Sequence, residues 1–287
     1  MCDLPAIGDN PAPMQGALTR CAFAGWSAAA ALATHTPHSL AGVQLVERMV
    51  DVTTPDGKAD AFFVHPESGR RPGVVFWPDA LGLRDSKKAM ARRLASEGYA
   101  VLAVNPYYRN VRAPLGLSFA DLATPEGRQK LLPFMPALTP EAITRDGVAY
   151  VAFLDSQAAV DKKRGIGVQG YCFGGPFSVR TAAAVPGRVR GTATFHGGGL
   201  VTDKPDSPHR LLSQTEAAYL IAVARDDDVK APGDKDAFRA AAEAAGRAAE
   251  IEVYAGDHGW CVPDAPAYNR SEADRAWARL LTLYATL

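Results

Sequence analysis

From residue 43 onward, the hydrophobic pattern of the chain changes repeatedly between two periods. Short apolar runs typical of buried strands are separated by segments with the 3.6-residue period of amphipathic helices. The strand-like runs are residues 44–53, 59–65, 72–77, 100–104, 165–169, 190–195, 217–224 and 249–254. Strands that alternate with helices predict an α/β fold with a mostly parallel central sheet of about eight strands.

Helical segments are predicted at residues 85–98, 141–156, 177–184, 234–245 and 272–284. In the first of these, Met90, Ala91 and Leu94 share one face, and Gly98 stands where a C-cap glycine is expected. The turn at residues 54–57 predicts that the first two strands form a hairpin. Residues 105–139 are rich in proline and lack a regular period, so we expect an excursion that contacts substrate or forms a lid.

The first 42 residues are set apart from this pattern as a leader or a disordered extension. Residues 19–23 and the alanine-rich stretch after them resemble a twin-arginine export signal, but Cys21 stands where the second arginine belongs. Asp3 and Asp9 also replace the expected positive cluster. A cytoplasmic location is therefore favoured, with export to the periplasm through a degenerate leader as the alternative. The catalytic domain is expected to span residues 43–287.

Composition narrows the classes of function. Lys plus Arg (31) balance Asp plus Glu (31), so charge gives no reason to expect nucleic acid or a membrane as a partner. The four cysteines are scattered and match neither a disulfide framework nor a zinc site. We expect an enzyme that acts on a small molecule without a metal or another cofactor, as a monomer or a dimer.

The most informative motif is GYCFGG at residues 170–175, between a predicted strand and a predicted helix. It matches the G-x-nucleophile-x-G elbow, in which a strained turn raises the central side chain above the sheet. Glycines are needed two residues to either side, because a β-carbon would crowd the neighbouring strand and helix. Cys172 is therefore the predicted nucleophile. A buried, inert cysteine in a glycine-rich turn is the structural alternative.

A thiol nucleophile needs a base, and α/β hydrolases supply the acid and then the histidine after the nucleophile. His258 follows the last predicted strand, where that base is expected. Three aspartates, residues 226–228, follow the preceding strand. Asp226 is preferred as the acid because it is nearest the strand end, and Asp228 is the alternative. If the segment has no catalytic role, the aspartates belong to a solvated loop.

Backbone N–H groups of Phe173 and Ala80 are the predicted oxyanion hole, since Phe173 begins a helix and Ala80 follows the third strand. Asp79 would then face the active centre and hold the resting thiol protonated until substrate displaces it, or else serve as an ordinary loop carboxylate. His196 precedes three glycines, a pattern that looks like the oxyanion motif of lipases. That motif comes before the nucleophile in the chain, whereas His196 follows it, so we expect a turn that lines the pocket. Tyr171 and Trp260 are further candidate substrate contacts.

Together these residues resemble the dienelactone hydrolase family over residues 43–287. The segments that carry the resemblance are 79–83 (DALGL), 93–95, 97–99, 170–175, 225–229 and 257–259 (DHG). The resemblance implies an α/β-hydrolase fold and a Cys–His–Asp triad without a cofactor. It also implies hydrolysis of a lactone or ester in the β-ketoadipate type of aromatic degradation.

Two departures from the family pattern bear on substrate. The family places Glu, paired with the resting thiol, where this chain has Asp79, and it places a carboxylate-binding Arg where this chain has Val262. Arg128 is a candidate for the family's other carboxylate-binding arginine. The resemblance therefore implies the chemistry more firmly than the substrate. A carboxylesterase of broad scope and a silent binding protein on the same scaffold are the alternatives.

Overall fold

The computed structural model describes residues 42–287, which form one eight-stranded sheet. Its strands are β1 (Leu45–Thr54), β2 (Gly57–Pro66), β3 (Gly73–Trp77), β4 (Ala100–Val104), β5 (Ile166–Tyr171), β6 (Val189–Phe195), β7 (Ala218–Ala224) and β8 (Ala249–Tyr254). The spatial order is β1-β2-β4-β3-β5-β6-β7-β8; β1 and β2 pair antiparallel, and every pair from β4–β3 onward is parallel. The pairing of β2 with β4 is also antiparallel, so the sheet is mixed but mostly parallel. The predicted α/β-hydrolase architecture is confirmed.

Eight α-helices connect the strands in this part of the chain. They are α1 (Asp85–Ser96), α2 (Phe119–Leu122), α3 (Pro125–Leu131), α4 (Pro140–Ser156), α5 (Gly174–Ala184), α6 (Arg225–Lys230), α7 (Asp234–Ala244) and α8 (Arg270–Tyr284). The capping residues that precede the helices explain where several of them begin. Thr139 caps α4 by accepting the N–H of Ala142, and Asn269 caps α8 by accepting that of Glu272.

The sheet is covered on both faces, which explains why β3, β4 and β5 read as continuous apolar runs. Every residue of these three strands is buried. One core cluster packs α1 and α8 against the sheet, and the other packs α4, α5 and α7 against the opposite face. The two layers of helices hold the carboxyl edge of the parallel strands rigidly.

This carboxyl edge gathers segments that are distant in the sequence. Cys172 follows β5 in the middle of the sheet, and His196 follows β6 beside it. Asp227 lies in α6 after β7, and His258 follows β8. Asp79 follows β3 on the other side of β5. Parallel strands therefore bring five chemically active side chains to one edge.

The excursion at residues 105–139 contains α2, α3 and a 3₁₀ segment, Leu132–Ala137, where the sequence showed no regular period. The predicted leader, residues 1–42, lies outside the described residues except for Gly42 and stays a prediction. In the described range, no helix has both the length and the apolar character needed to cross a membrane.

Candidate active site

The turn at Cys172 has the geometry that the elbow motif predicts. Cys172 has a φ of +54°, in the left-handed region that non-glycine residues seldom adopt. A β-carbon on Gly170 would lie 1.9 Å from the carbonyl oxygen of Gly174, and one on Gly174 would lie 2.5 Å from that of Pro78. Both glycines are therefore required for the chain to make this sharp turn from strand to helix.

Cys172 is partly exposed at the carboxyl edge of the sheet, and its backbone packs against β6. Cys172 is a free cysteine of intermediate exposure, and its N–H donates to the carbonyl of Phe195 at 3.0 Å. Gly175 approaches the next turn so closely that a β-carbon there would lie 2.8 Å from the Cα of Gly197. The elbow is thus fixed against β6 while Cys172 remains partly exposed.

His258 joins the thiol to a carboxylate. Its Nδ1 is 2.6 Å from Oδ2 of Asp227, so Nε2 is the nitrogen left for Cys172. The side chains of His258 and Asp227 are 35% and 25% exposed, respectively. His258 and Asp227 therefore form a hydrogen-bonded pair at the edge of the sheet that also carries Cys172.

This geometry corrects the prediction that Asp226, or alternatively Asp228, is the carboxylate at the ring of His258. Oδ1 of Asp226 accepts the backbone N–H of His258 at 2.7 Å, and its Oδ2 pairs with Lys230. Asp228 pairs with Lys235 at 2.7 Å. Asp226 positions the backbone of His258, whereas Asp227 contacts its imidazole.

A missed helix explains the correction. In an irregular loop after β7, the first aspartate would be nearest to the site. Residues 225–230 instead form the helix α6. Successive residues of a helix point about 100° apart, so the phase of the helix decides which of three consecutive aspartates faces the histidine. No signal in a run of three identical residues fixes that phase.

The environment of His258 favours its protonated form. Burial lowers the pKa of His258, but hydrogen bonds to Asp227 and Cys172 outweigh burial and raise the pKa to about 10. The imidazole is therefore a cation at neutral pH. A cation beside a thiol favours the thiolate, which is the reactive form of cysteine.

The predicted oxyanion donors lie on the two loops that flank the thiol. Phe173 is the N-cap residue of α5, and Ala80 lies in the turn after β3. Within residues 42–287, neither backbone N–H donates to a protein acceptor. The hydroxyl of Tyr107 donates to the carbonyl of Ala80 at 2.8 Å and so holds this turn from below. Two free donors beside a nucleophile are what an oxyanion hole requires.

Asp79 is buried, but it is engaged away from the thiol. Its carboxylate is 2.7 Å from both Arg84 and Lys87, and its Oδ1 also accepts the N–H of Leu81. Burial raises the pKa of Asp79, but the charges of Lys87 and Arg84 outweigh burial and hold it well below its usual range. The expectation that Asp79 holds the resting thiol is corrected: it stabilises the turn that carries Ala80.

His196 is enclosed instead of lining a pocket with its ring. The residue is 1% exposed, has a φ of +41°, and packs edge-to-face on His258 with the ring centroids 4.7 Å apart. The following turn, from Gly197 to Gly199, lines a cavity of about 170 Å³ next to Asp227. The predicted turn at the top of the sheet is therefore present, but the imidazole of His196 faces that of His258.

Tyr171 and Trp260 belong to the core, which corrects their prediction as substrate contacts. Tyr171 is 2% exposed and stacks on Phe76 and Phe195, and Trp260 is fully buried against Tyr254. Arg128 is exposed on α3 and donates to the carbonyl of Leu122. Its described hydrogen bond is local to the excursion, so its role in binding substrate stays a prediction.

Residues 42–287 bring together no three His, Cys, Asp or Glu side chains that could hold a metal ion. Val262, at the position where the family pattern has an arginine, is fully buried. The cations beside the site, Arg84 and Lys87, are matched by Asp79 and Asp264. Charge near the nucleophile is therefore balanced within the protein.

The sheet order, the elbow and the histidine after β8 define an α/β hydrolase. The family model of the dienelactone hydrolase family matches residues 59–287. The chain therefore belongs to the dienelactone hydrolase family, and it is a hydrolase. This confirms the family and the enzyme class that the sequence motifs predicted.

Relatives and solved structures agree with this assignment. A protein of Methylorubrum extorquens, provisionally named carboxymethylenebutenolidase, is 27% identical over 243 residues, which cover 82% of this chain and 79% of the relative. The crystal structure of a protein from Klebsiella pneumoniae, provisionally described as a dienelactone hydrolase, has a TM-score of 0.73 at 21% identity and covers 85% of this chain and 100% of that one. The dienelactone hydrolase-like promiscuous phosphotriesterase P91 from metagenomic libraries has a TM-score of 0.68 at 24% identity, covering 85% and 98%. These two structures share the fold of this chain.

Proposed function

We propose that this chain hydrolyses a carboxylic ester or lactone through Cys172, His258 and Asp227, with a thioester intermediate. The observation that carries the proposal is the contact of His258 Nδ1 with Asp227 at the edge of the sheet where Cys172 also lies, with Cys172 among the groups that raise the pKa of His258. The provisional name of the Methylorubrum relative, carboxymethylenebutenolidase, supports a lactone or ester as the substrate class.

In the first half-reaction the thiolate of Cys172 attacks the carbonyl carbon. Negative charge develops on the carbonyl oxygen, and the free N–H groups of Ala80 and Phe173 stabilise it, assisted by the N-terminal dipole of α5. The His258 imidazolium then donates its Nε2 proton to the leaving oxygen. The products of this step are an acyl thioester on Cys172 and an alcohol, or the ring-opened alcohol of a lactone.

In the second half-reaction neutral His258 accepts a proton from water, and the resulting hydroxide attacks the thioester. Asp227 keeps the Nδ1 proton in place, so that Nε2 is the nitrogen that exchanges protons in both steps. Collapse of the tetrahedral intermediate expels the Cys172 thiolate and restores the starting state. The cycle needs only water as a co-reactant.

The balanced charges beside the thiol favour an uncharged acyl group over an anionic one. Lys87 is fully buried and paired with Asp79, and Arg84 is shared between Asp79 and Asp264. Neither cation is left to bind a substrate carboxylate without breaking a buried ion pair, which costs free energy. We therefore expect neutral esters and lactones to be the better substrates.

Hydrolysis of p-nitrophenyl butyrate tests the reaction, and p-nitrophenyl hemisuccinate tests the charge preference. The Cys172→Ala variant and iodoacetamide-treated enzyme should both be inactive, and the anionic ester should have a much lower kcat/KM than the neutral one. A comparison of a simple lactone with linear esters then separates a lactonase from a broad carboxylesterase. Full activity of Cys172→Ala would overturn the proposal.

A further inference from the structure

His196 is buried against the catalytic histidine at an energetic cost. Its φ of +41° places a non-glycine residue in the left-handed region, where L-residues are strained. Both of its ring nitrogens are buried without a hydrogen-bond partner among residues 42–287. Such costs persist in a native structure where the surrounding fold enforces them, and they concentrate at functional sites.

Three backbone contacts fix the position of His196 next to His258. The N–H of His196 donates to the carbonyl of Ala222 on β7 at 2.8 Å, and the preceding carbonyl, of Phe195, accepts the N–H of Cys172. The close approach of Gly175 to Gly197 locks the turn after His196 to the start of α5. The position of His196 is thus tied to the same elbow that places the nucleophile.

Charged groups near His196 keep it neutral. Burial holds the pKa of His196 well below its ordinary value, and the positive charges of His258 and Lys87 act in the same direction, opposed by Asp79. Tyr171, with its ring centroid 6.1 Å away, adds an aromatic neighbour and no charge. A carboxylate bonded to either free nitrogen would protonate the ring, and two adjacent imidazolium cations would then repel each other.

We propose that His196 is a positioning residue whose neutral aromatic ring supports the His258 imidazolium between Asp227 and Cys172. The two imidazoles meet in a T-shaped contact with centroids 4.7 Å apart, inside the ~6 Å over which a cation interacts with the face of an aromatic ring. No carboxylate among residues 42–287 is bonded to either ring nitrogen, so the described contacts of the ring do not favour its protonation. This inference rests on the proposed role of His258.

Two variants separate the ring from the backbone strain. His196→Asn removes the ring but suits the left-handed backbone, whereas His196→Phe keeps an aromatic ring at a backbone position that suits it less. For the Asn variant, we expect kcat to fall about tenfold, with KM nearly unchanged, and the NMR titration midpoint of His258 to fall by about one pH unit. For the Phe variant, both quantities should stay near the wild-type values.

Melting temperatures of both variants complete the test, because a purely structural role would make activity follow stability. The inference is overturned if His196→Asn keeps the wild-type kcat and midpoint, or if His196→Phe loses as much activity as His196→Asn. The Cys172→Ala variant, measured in parallel, keeps the two proposals apart. If Cys172→Ala is active, the proposed function fails; if it is inactive and the His196 variants show no effect, only the role of His196 fails.

Discussion

Two sets of charged side chains lie at the carboxyl edge of the sheet, and they differ in how they are paired. In the first set, Asp227 and His258 are 25% and 35% exposed, and they leave one imidazole nitrogen for the Cys172 thiol. In the second, Asp79 and Lys87 are 5% and 0% exposed, and Arg84 completes their pairing. The first set keeps a reactive group available, whereas the second uses its charges to hold the loop of Ala80.

The comparison shows that proximity to a nucleophile does not assign a role to a carboxylate. Asp79 is next to the predicted oxyanion residue in the sequence, yet its oxygens are occupied by two cations and by the N–H of Leu81. Asp227 is one of three adjacent aspartates, yet it alone contacts the imidazole of His258. The geometry of the partners, rather than the residue type, separates a carboxylate that holds a loop from one that contacts the imidazole of His258.

Replacement of Asp227 should have the largest effect on activity. Asp227→Asn keeps the size of the side chain but offers an amide to Nδ1 and can hold the wrong tautomer, so we expect kcat to fall by about 10³–10⁴-fold. Steady-state hydrolysis of a neutral ester measures the effect. Asp228→Asn is the matched control, since Asp228 pairs with Lys235 and should leave kcat close to wild type. Equal losses in the two variants would remove the distinction between these aspartates.

Replacement of Asp79 should mainly reduce stability. Asp79→Asn leaves the Lys87 ammonium buried without a counter-charge, and such a loss costs about 3–5 kcal/mol in the free energy of unfolding. Urea denaturation measures the effect. The double variant Asp79→Asn/Lys87→Met removes the buried charge as well and should recover much of the stability. If Asp79→Asn were as stable as wild type but inactive, Asp79 would belong to the catalytic set.

Loss of the His258 cation should slow modification of the thiol. A positive neighbour favours the reactive thiolate form of a cysteine, so His258→Gln should reduce the rate of alkylation by iodoacetamide by roughly tenfold. The rate is measured on Cys172 by peptide mass spectrometry without substrate. Cys261, which is 8% exposed and whose pKa burial raises, serves as the internal control and should remain slow in both proteins.

A further test is the pH dependence of stability. The pKa of His258 is raised to about 10 in the folded protein, so its protonation stabilises the fold fully below the unfolded value near ~6.5 and is lost as pH rises through about 10. The difference in unfolding free energy between wild type and His258→Gln should therefore shrink between about pH 6 and pH 10. A difference that grows with pH would contradict a protonated His258.

The sequence predicted the features that depend on local pattern. The alternation of strands and helices, the glycines at 170 and 174 and the position of His258 after β8 all agree with the structure. The choice among the aspartates could not be made, because it depends on the phase of the short helix α6. The pairing of Asp79 with Lys87 also escaped prediction, since a lysine on the apolar face of an amphipathic helix gives no sign of its partner.

The central claim is that Cys172 carries the acyl group during turnover. The most direct test is rapid quenching of the enzyme in acid during hydrolysis of p-nitrophenyl acetate, followed by mass spectrometry of the intact protein and its peptides. We predict the mass of one acetyl group on the peptide that contains Cys172, and its loss as the substrate is exhausted. An acetyl group on another residue, or an unmodified Cys172 in an enzyme that is turning over, would contradict the account.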